Sequence, residues 1–389
     1  MTEGWQARKV ARALGMVSLV AIAGCAVVPK RAAPPPPVVA PPPPPPEVTQ
    51  GLPTDQQRHR VALLAPLSGP NGPVGSSIAN AANMAVLDTG GQRIRVTVYD
   101  TGGGAAAAAQ KAIAEGNRVI LGPLLAEEVR AVRPVAAAAH VPLIAFSNDN
   151  SVAGEHVYLM GYAPEQAISR VVDYAKGRGI NSVAGLVPAG VYGQRASSAL
   201  IKAAGDAGTR VASIQIFDRS PQSAAAAVGR LGTNPFGALL IADTSHVAAN
   251  AVTLARKGGG GADARILGTE LWNTDTNITT LASLRGAWFA SVSDGLYRQL
   301  ASKYRTRFGT APSRLASLGY DSVLLVTKIA ADWRVGTAFP EERLSDRGGF
   351  AGIDGAFRFG RGPVAERMLE VQQVDAGGVS VVDAAPAGF

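Results

Sequence analysis

From residue 58 onward one pattern recurs: a short apolar run, a glycine or polar turn, then a longer segment with helical spacing of its apolar residues. The first run, Val61-Ala62-Leu63-Leu64-Ala65, has no polar break, the mark of a strand covered on both faces. A helix is expected from Ser76 to Asp88. Ile94–Tyr99 alternates, so that strand has one wetter face. Alanine-rich Ala105–Glu115 favours helix, Val119–Leu121 strand, Glu127–Ala139 helix and Pro142–Phe146 strand. A second series begins near Val157. It reads helix Pro164–Lys176 with proline in the first turn, strand Ser182–Val187, helix Tyr192–Ala204 and strand Val211–Phe217. Helix Ser223–Leu231, strand Ala238–Ile241, helix Val247–Arg256 and strand Ile266–Gly268 continue it. Strand Ala287–Ala290 and helices Tyr297–Phe308 and Ser313–Asp332 follow. The tail changes period. Ala356–Phe359, Met368–Val374 and Val379–Val382 read as a small antiparallel ribbon turning at Gly360–Gly362 and Gly377-Gly378.

Alternating strands and helices imply parallel sheets with right-handed crossovers. Two such series imply an α/β fold of two doubly wound, Rossmann-like lobes joined at a hinge. The expected first lobe is about residues 58–160 plus 291–335; the second is about 161–290 plus 336–389. No repeat of ~20–50 residues is visible, which excludes a solenoid.

The first 57 residues have a different character. Arg8, Lys9 and Arg12 precede an uncharged apolar stretch, Ala13 to Ala23, too short for a comfortable membrane span and suited to a secretory signal. It ends in Ile22-Ala23-Gly24-Cys25. Residues 26–57 carry prolines at Pro34–Pro37 and Pro41–Pro46 and almost no core material. Proline favours extended polyproline II, so this stretch could reach roughly 80–100 Å as a semi-rigid spacer. A proline-rich ligand for a partner domain is the other reading, but no basic residue flanks the prolines in a recognition pattern.

Composition narrows the chemistry. With 47% hydrophobic and 17% charged residues, the chain can build a core. The net charge of +8 is not gathered into Lys/Arg runs, which argues against nucleic acid as partner. The single cysteine excludes an intrachain disulfide, and the four histidines are scattered, so no metal centre or cofactor is expected. Walker A, GxGxxG, HExxH, GxSxG and CxxC patterns are all absent, and no enzyme is expected. His140 lies at a helix end, where capping is the ordinary role. In open α/β sheets ligands meet the carboxyl ends of strands. That rule selects Ser68-Gly69-Pro70, Asp100-Thr101, Gly122-Pro123-Leu124, Ser147-Asn148-Asp149, the stretch 189–193, Asp218, Asp243-Thr244 and Glu270.

Two resemblances sharpen this picture. Ile22-Ala23-Gly24-Cys25 resembles the lipobox of bacterial lipoproteins, which implies cleavage before Cys25 and its acylation. Ala26, rather than Asp, follows the cysteine, which in those families points to the periplasmic side of the outer membrane. Val61 to Pro70, Val119–Pro123, Pro142–Ser147, Tyr192-Gly193, Leu267–Glu270 and Gly319-Tyr320-Asp321 resemble type 1 periplasmic binding proteins of the leucine/isoleucine/valine class. Within it, Gly122-Pro123-Leu124, Ala145-Phe146-Ser147 and Gly352 to Phe359 look most like penicillin-binding protein activator lipoproteins. That resemblance implies a non-enzymatic regulator that acts on a peptidoglycan synthase. The alternative is a receptor for an ABC-type amino-acid importer. Tyr192 and Glu270 match the class's ligand-contacting tyrosine and amine-binding acid. Where the class holds a carboxylate with serine, this chain has Leu125-Ala126-Glu127-Glu128; where it offers an alanine carbonyl and threonine, it has Asn148 and Asp149. Any small ligand is therefore expected to be an amine or cation, held by Tyr192, Asp149 and Glu270 with Ser68 and Ser147. The same residues could instead pack the lobe interface.

Overall fold

Residues 57–232, 235–257 and 261–389 are described by the structure, a computed structural model. The expected leader, Cys25, the tether up to residue 56 and most of the turn at Gly258–Gly261 lie outside the described residues.

β1 (His59–Ala65) is wholly buried from Val61 to Ala65, as a run without polar breaks demands. α1 (Gly72–Asp88) begins earlier than Ser76 because Pro73 takes a first-turn position, where no N–H is needed. β2 (Ile94–Asp100), α2 (Ala105–Ala114), β3 (Ile120–Leu121), α3 (Ala126–Ala138), β4 (Leu143–Ala145) and β5 (Val157–Leu159) complete the first series. Its parallel sheet has the order β2-β1-β3-β4-β5.

α4 (Pro164–Gly177) opens the second series. β6 (Ser182–Pro188), α5 (Val191–Asp206), β7 (Arg210–Phe217), α6 (Pro221–Arg230), β8 (Ala238–Ile241), α7 (Ser245–Ala255), β9 (Arg265–Gly268) and β10 (Trp288–Ser291) follow. The order β7-β6-β8-β9-β10 repeats that of the first sheet. In each sheet the order reverses beside the first strand of the series, so a crevice forms there beyond the carboxyl ends of the strands.

α8 (Gly295–Phe308) and α9 (Ala316–Ile329) return to the first lobe, where α9 packs on α1. β11 (Phe350–Gly352), β12 (Gly355–Phe359) and β13 (Ala365–Arg367) form a small antiparallel sheet. β14 (Glu370–Val374) runs antiparallel to β10, and β15 (Val379–Asp383) closes that edge.

Two expectations need correction. The tail is not one ribbon: Ala356–Phe359 belongs to the small sheet, while the strand pair after residue 368 extends the second main sheet. The stretch 336–367, expected in the second lobe, packs on the first. Phe339, Leu344, Phe350, Phe357 and Phe359 share one core with Val61, Leu63 and Val326. Leu369 and Val371 are instead buried with Trp288 and Ala290. The chain thus crosses between lobes at 160–163, 292–294 and 368–369.

Candidate functional site

The first lobe's wall of the cleft is built by carboxylates that serve its own loops. Asp100 closes β2, and its Oδ1 accepts from the N–H groups of Leu67 and Gly102, each at 2.8 Å. Its Oδ2 accepts from the Ser68 hydroxyl at 2.8 Å. The Gly102 N–H, the Ser68 hydroxyl and the Leu67 N–H hold this carboxyl below its ordinary range. A Cβ on Gly102 would stand 2.0 Å from Ser68 Oγ, so a side chain there would turn the Ser68 hydroxyl away from Asp100. Gly69 turns the same loop with φ 74°. At the start of α3, Glu128 accepts from the Leu125 N–H at 3.1 Å and from the Thr101 hydroxyl at 2.5 Å. A helix N-terminus is a natural anion site, and here the chain's own acid occupies it. Glu127 is exposed beside it. Beyond β4, buried Ser147 accepts the Asp149 N–H at 3.1 Å. Asp149 accepts from the Ser151 N–H at 3.0 Å and pairs with Arg130 at 2.9 Å. Burial pushes Asp149 up, but the Ser151 hydrogen bonds and the charges of Arg195 and Arg130 outweigh it and hold the carboxyl low. Asn148 is exposed.

The second lobe supplies the opposite wall. Gly190, φ 95°, admits the chain to α5. The half-buried Tyr192 stands 3.0 Å from Glu270 Oε1 and 3.1 Å from Thr269 Oγ1, and donates to the carboxylate. Glu270 follows β9 and is 8% exposed, yet its Oε2 has no hydrogen-bond partner among the described residues. Burial pushes Glu270 up to about 7, against the pull of backbone and Tyr192 hydrogen bonds. Burial and the Glu270 charge drive the Tyr192 phenol well above its ordinary value. Nearby, Arg195 grips Glu165 with Nε and Nη2, each at 3.0 Å.

Between the walls, Glu270 lines a small cavity with Tyr162, Gln166, Ser291, Arg314 and Arg367. About 20 Å³ is open there to the centre of a water-sized sphere, room for about one water. The crossing segments are tied around it. Arg314 reaches Asp354 at 2.7 Å and Asp294 at 3.3 Å and stacks 4.1 Å above Tyr297. Tyr162 donates to Asp354 and lies 2.9 Å from the Ser317 hydroxyl. Asp321 accepts the Ile353 N–H at 2.6 Å and fixes the turn that presents Asp354. Burial opposes ionisation of both aspartates; Arg314 and Arg367 keep Asp354 low, while the Asp354 charge keeps Asp321 high. Gln166 of α4 accepts from the Arg367 N–H at 2.9 Å and donates to the Ala365 carbonyl at 2.8 Å. Arg367 itself donates to the Met160 carbonyl at 2.6 Å.

The structure therefore joins Tyr192 to Glu270, Ser68 to Asp100 and Ser147 to Asp149. No hydrogen bond among the described residues joins the first group of loops to Tyr192 or Glu270. Sequence reasoning missed Arg195, Arg314 and the capping role of Glu128. A signal existed for one of them: Glu128 stands three residues after Leu125 at a helix start. His140 makes no side-chain capping bond among the described residues; its backbone, at φ 53°, follows the end of α3.

With this geometry in hand, comparisons place the chain. The profile of a family described as "Periplasmic binding protein" matches residues 59–378. An uncharacterised protein of Rickettsia prowazekii, RP748, is 25% identical over 182 residues, 46% of this chain and 49% of the relative. The chain thus matches about half the length of that relative. Among solved structures, leucine-binding LivK of Thermotoga maritima superposes with a TM-score of 0.62 at 18% identity, covering 85% of this chain and 99% of its own. LivJ of Streptococcus pneumoniae, solved with isoleucine, gives 0.64 at 18% identity, with 85% and 100% covered. A solute-binding protein from Rhodopseudomonas palustris, solved with 3,4-dihydroxybenzoic acid, gives 0.65 at 18% identity, with 85% and 98% covered. At such identities the likeness is one of fold.

Proposed function

Because the chain belongs to the periplasmic binding protein family, we propose that it is a non-enzymatic member that works by contact with another protein. In this reading Cys25 carries a lipid that anchors the chain at the periplasmic side of the outer membrane. Residues 26–57 hold the two lobes away from that surface, and the partner is a penicillin-binding protein synthase whose peptidoglycan synthesis the chain regulates, as an activator lipoprotein does. One observation carries the choice over an amino-acid receptor. The first lobe's anion-holding positions are filled by the chain's own acids, Glu128 on the Leu125 N–H and Asp149 on the Ser151 N–H. An α-carboxylate entering there would meet negative charge. The test pairs two measurements on the detergent-solubilised full chain. Pull-down from envelope extract with mass spectrometry is expected to recover a synthase. Calorimetry against leucine, isoleucine and valine is expected to show no submicromolar binding; tight binding would replace this reading.

The second reading, a solute receptor of an ABC importer, has Glu270 in its favour. A buried carboxylate oxygen without a donor, beside the Tyr192 hydroxyl, suits a protonated amine. Proteins of similar fold solved with isoleucine and with 3,4-dihydroxybenzoic acid give a precedent for small ligands. On the charges present, the ligand in this reading is an amine or other cation rather than a branched-chain amino acid.

A further inference from the structure

Residues of α8 in the first lobe and of β10 and β14 in the second line a groove of about 700 Å³. None of Ser68, Asp149, Tyr192 and Glu270 lines it. One wall is a single face of α8 carrying Arg298 and Arg305; the other is the segment 272–279 with Val379 at the start of β15. Seven residues are two turns of helix, so the two arginines project side by side, roughly 10 Å apart along the axis. Both are exposed, and neither side chain has an ion pair or hydrogen bond among the described residues. The acids that line the groove are already engaged. Asp294 faces Arg314 at 3.3 Å; Asp275 accepts from the Ser245 hydroxyl and from the Asn277 N–H at 2.8 Å, with His246 at 3.6 Å. Arg298, Arg305 and Arg314 against Asp275 and Asp294 leave the lining with a net charge of +1, with Arg298 and Arg305 as its unpaired cations.

A second observation is independent of charge. Gln372 lines the groove, is 2% exposed and donates its amide to Glu370 at 2.6 Å, yet its carbonyl oxygen has no donor. A buried acceptor left unpaired is destabilising, so an N–H brought from outside would be gained there. The exposed Val379 adds apolar contact beside it, on a strand paired on one side only.

We propose that this groove docks an extended acidic peptide segment of a partner protein, with carboxylates on Arg298 and Arg305 and a backbone N–H on Gln372 Oε1. In an extended polyproline-like segment, residues three apart share a face and lie about 9 Å apart, so a Glu-x-x-Glu spacing fits the two arginines. A small inorganic anion could meet one arginine but could not span both and donate to Gln372. The bound segment would touch both lobes and fix their angle. The proposal rests on the reading that the chain acts through protein contact, and it names the surface.

The test uses the full chain in detergent and the dye-labelled peptide acetyl-Gly-Glu-Thr-Val-Glu-Thr-Gly-amide, with glutamine-for-glutamate and lysine-for-glutamate versions, read by fluorescence polarisation. The acidic peptide is expected to bind, more weakly as salt rises, and the glutamine version is expected not to. The double variant Arg298→Glu/Arg305→Glu should lose at least about tenfold in affinity, about 1.4 kcal/mol, and should prefer the lysine version. Gln372→Leu, which removes the acceptor and keeps the apolar stem, should weaken binding with little change in salt dependence. Equal binding by the wild-type chain and the charge-reversed variant, no binding of the acidic peptide, or competition by inorganic phosphate as strong as by the peptide would each overturn the proposal. If the reversed variant still captures a synthase, the groove fails and the functional reading stands. If the wild-type chain binds the peptide and captures no synthase, the functional reading fails and the groove stands.

Discussion

Glu270 is a carboxyl group with one oxygen bonded to Tyr192 and the other bonded to nothing among the described residues. Burial lifts its pKa from 4.5 to about 7. The folded chain therefore holds this proton more tightly than the unfolded chain does. The sign follows: stability is greatest below the unfolded value and declines as pH rises through the folded one. That window contributes on the order of 3 kcal/mol. Glu270→Gln should abolish this slope, so its melting temperature should exceed that of the wild type above pH ~7 and match it near pH ~4.5. Thermal unfolding across that range checks this; parallel curves for the two proteins would mean that Glu270 does not titrate there. Tyr192 and Glu270 were readable because both follow strand ends. Arg195 was not, because its meaning comes from Glu165, 30 residues away in sequence and on another helix.

Each lobe begins with the same device at the scale of the element. β1 runs into Pro66, and Gly75 in the first turn of α1 lies so close that a Cβ would stand 1.9 Å from the Pro66 carbonyl. β6 ends at Pro188, and a Cβ on Gly193 in α5 would stand 1.6 Å from that carbonyl. Helix and strand end are thus pressed together where the cleft loops emerge, which sets the line of Tyr192. Gly193→Ala should cost about 3 kcal/mol or more, because backbone must move to admit the methyl. Gly177→Ala, with nothing within 4 Å of its Cβ position, is the matched control and should be neutral or stabilising. Urea unfolding separates them; equal midpoints would show that the strand end yields without cost. The helices and strands of both main series were readable from periodicity, since their burial is local and one-sided or complete. The stretch 336–367 was not. Its aromatic spacing marks buried chain, but Phe350, Phe357 and Phe359 would fill either lobe's core, and only tertiary packing assigns them to the first.

Across the whole molecule, the two lobes are joined by covalent crossings and meet around a charged cluster built from the first lobe and a crossing. Arg314, on the first lobe near α9, has a side chain 5% exposed, and Asp354 is fully buried against it. Around them Asn273 and Ser291 come from the second lobe, Tyr162 and Asp294 from the crossings themselves. A buried ion pair earns little net stability, but stranding one member is costly. Arg314→Met would leave Asp354 with only the Tyr162 hydroxyl and a more distant arginine, and should destabilise by about 3–5 kcal/mol. The paired variant Arg314→Met/Asp354→Asn removes the stranded charge and should recover part of that loss. Such recovery is what a purely steric role for Arg314 would not produce. Because the cluster spans the hinge, its loss should also loosen the lobes relative to each other. Differential scanning calorimetry of the single variant should show a broadened or split transition where the wild type melts in one. A single variant that keeps one sharp transition at the wild-type temperature would mean the crossings hold the lobes without the cluster.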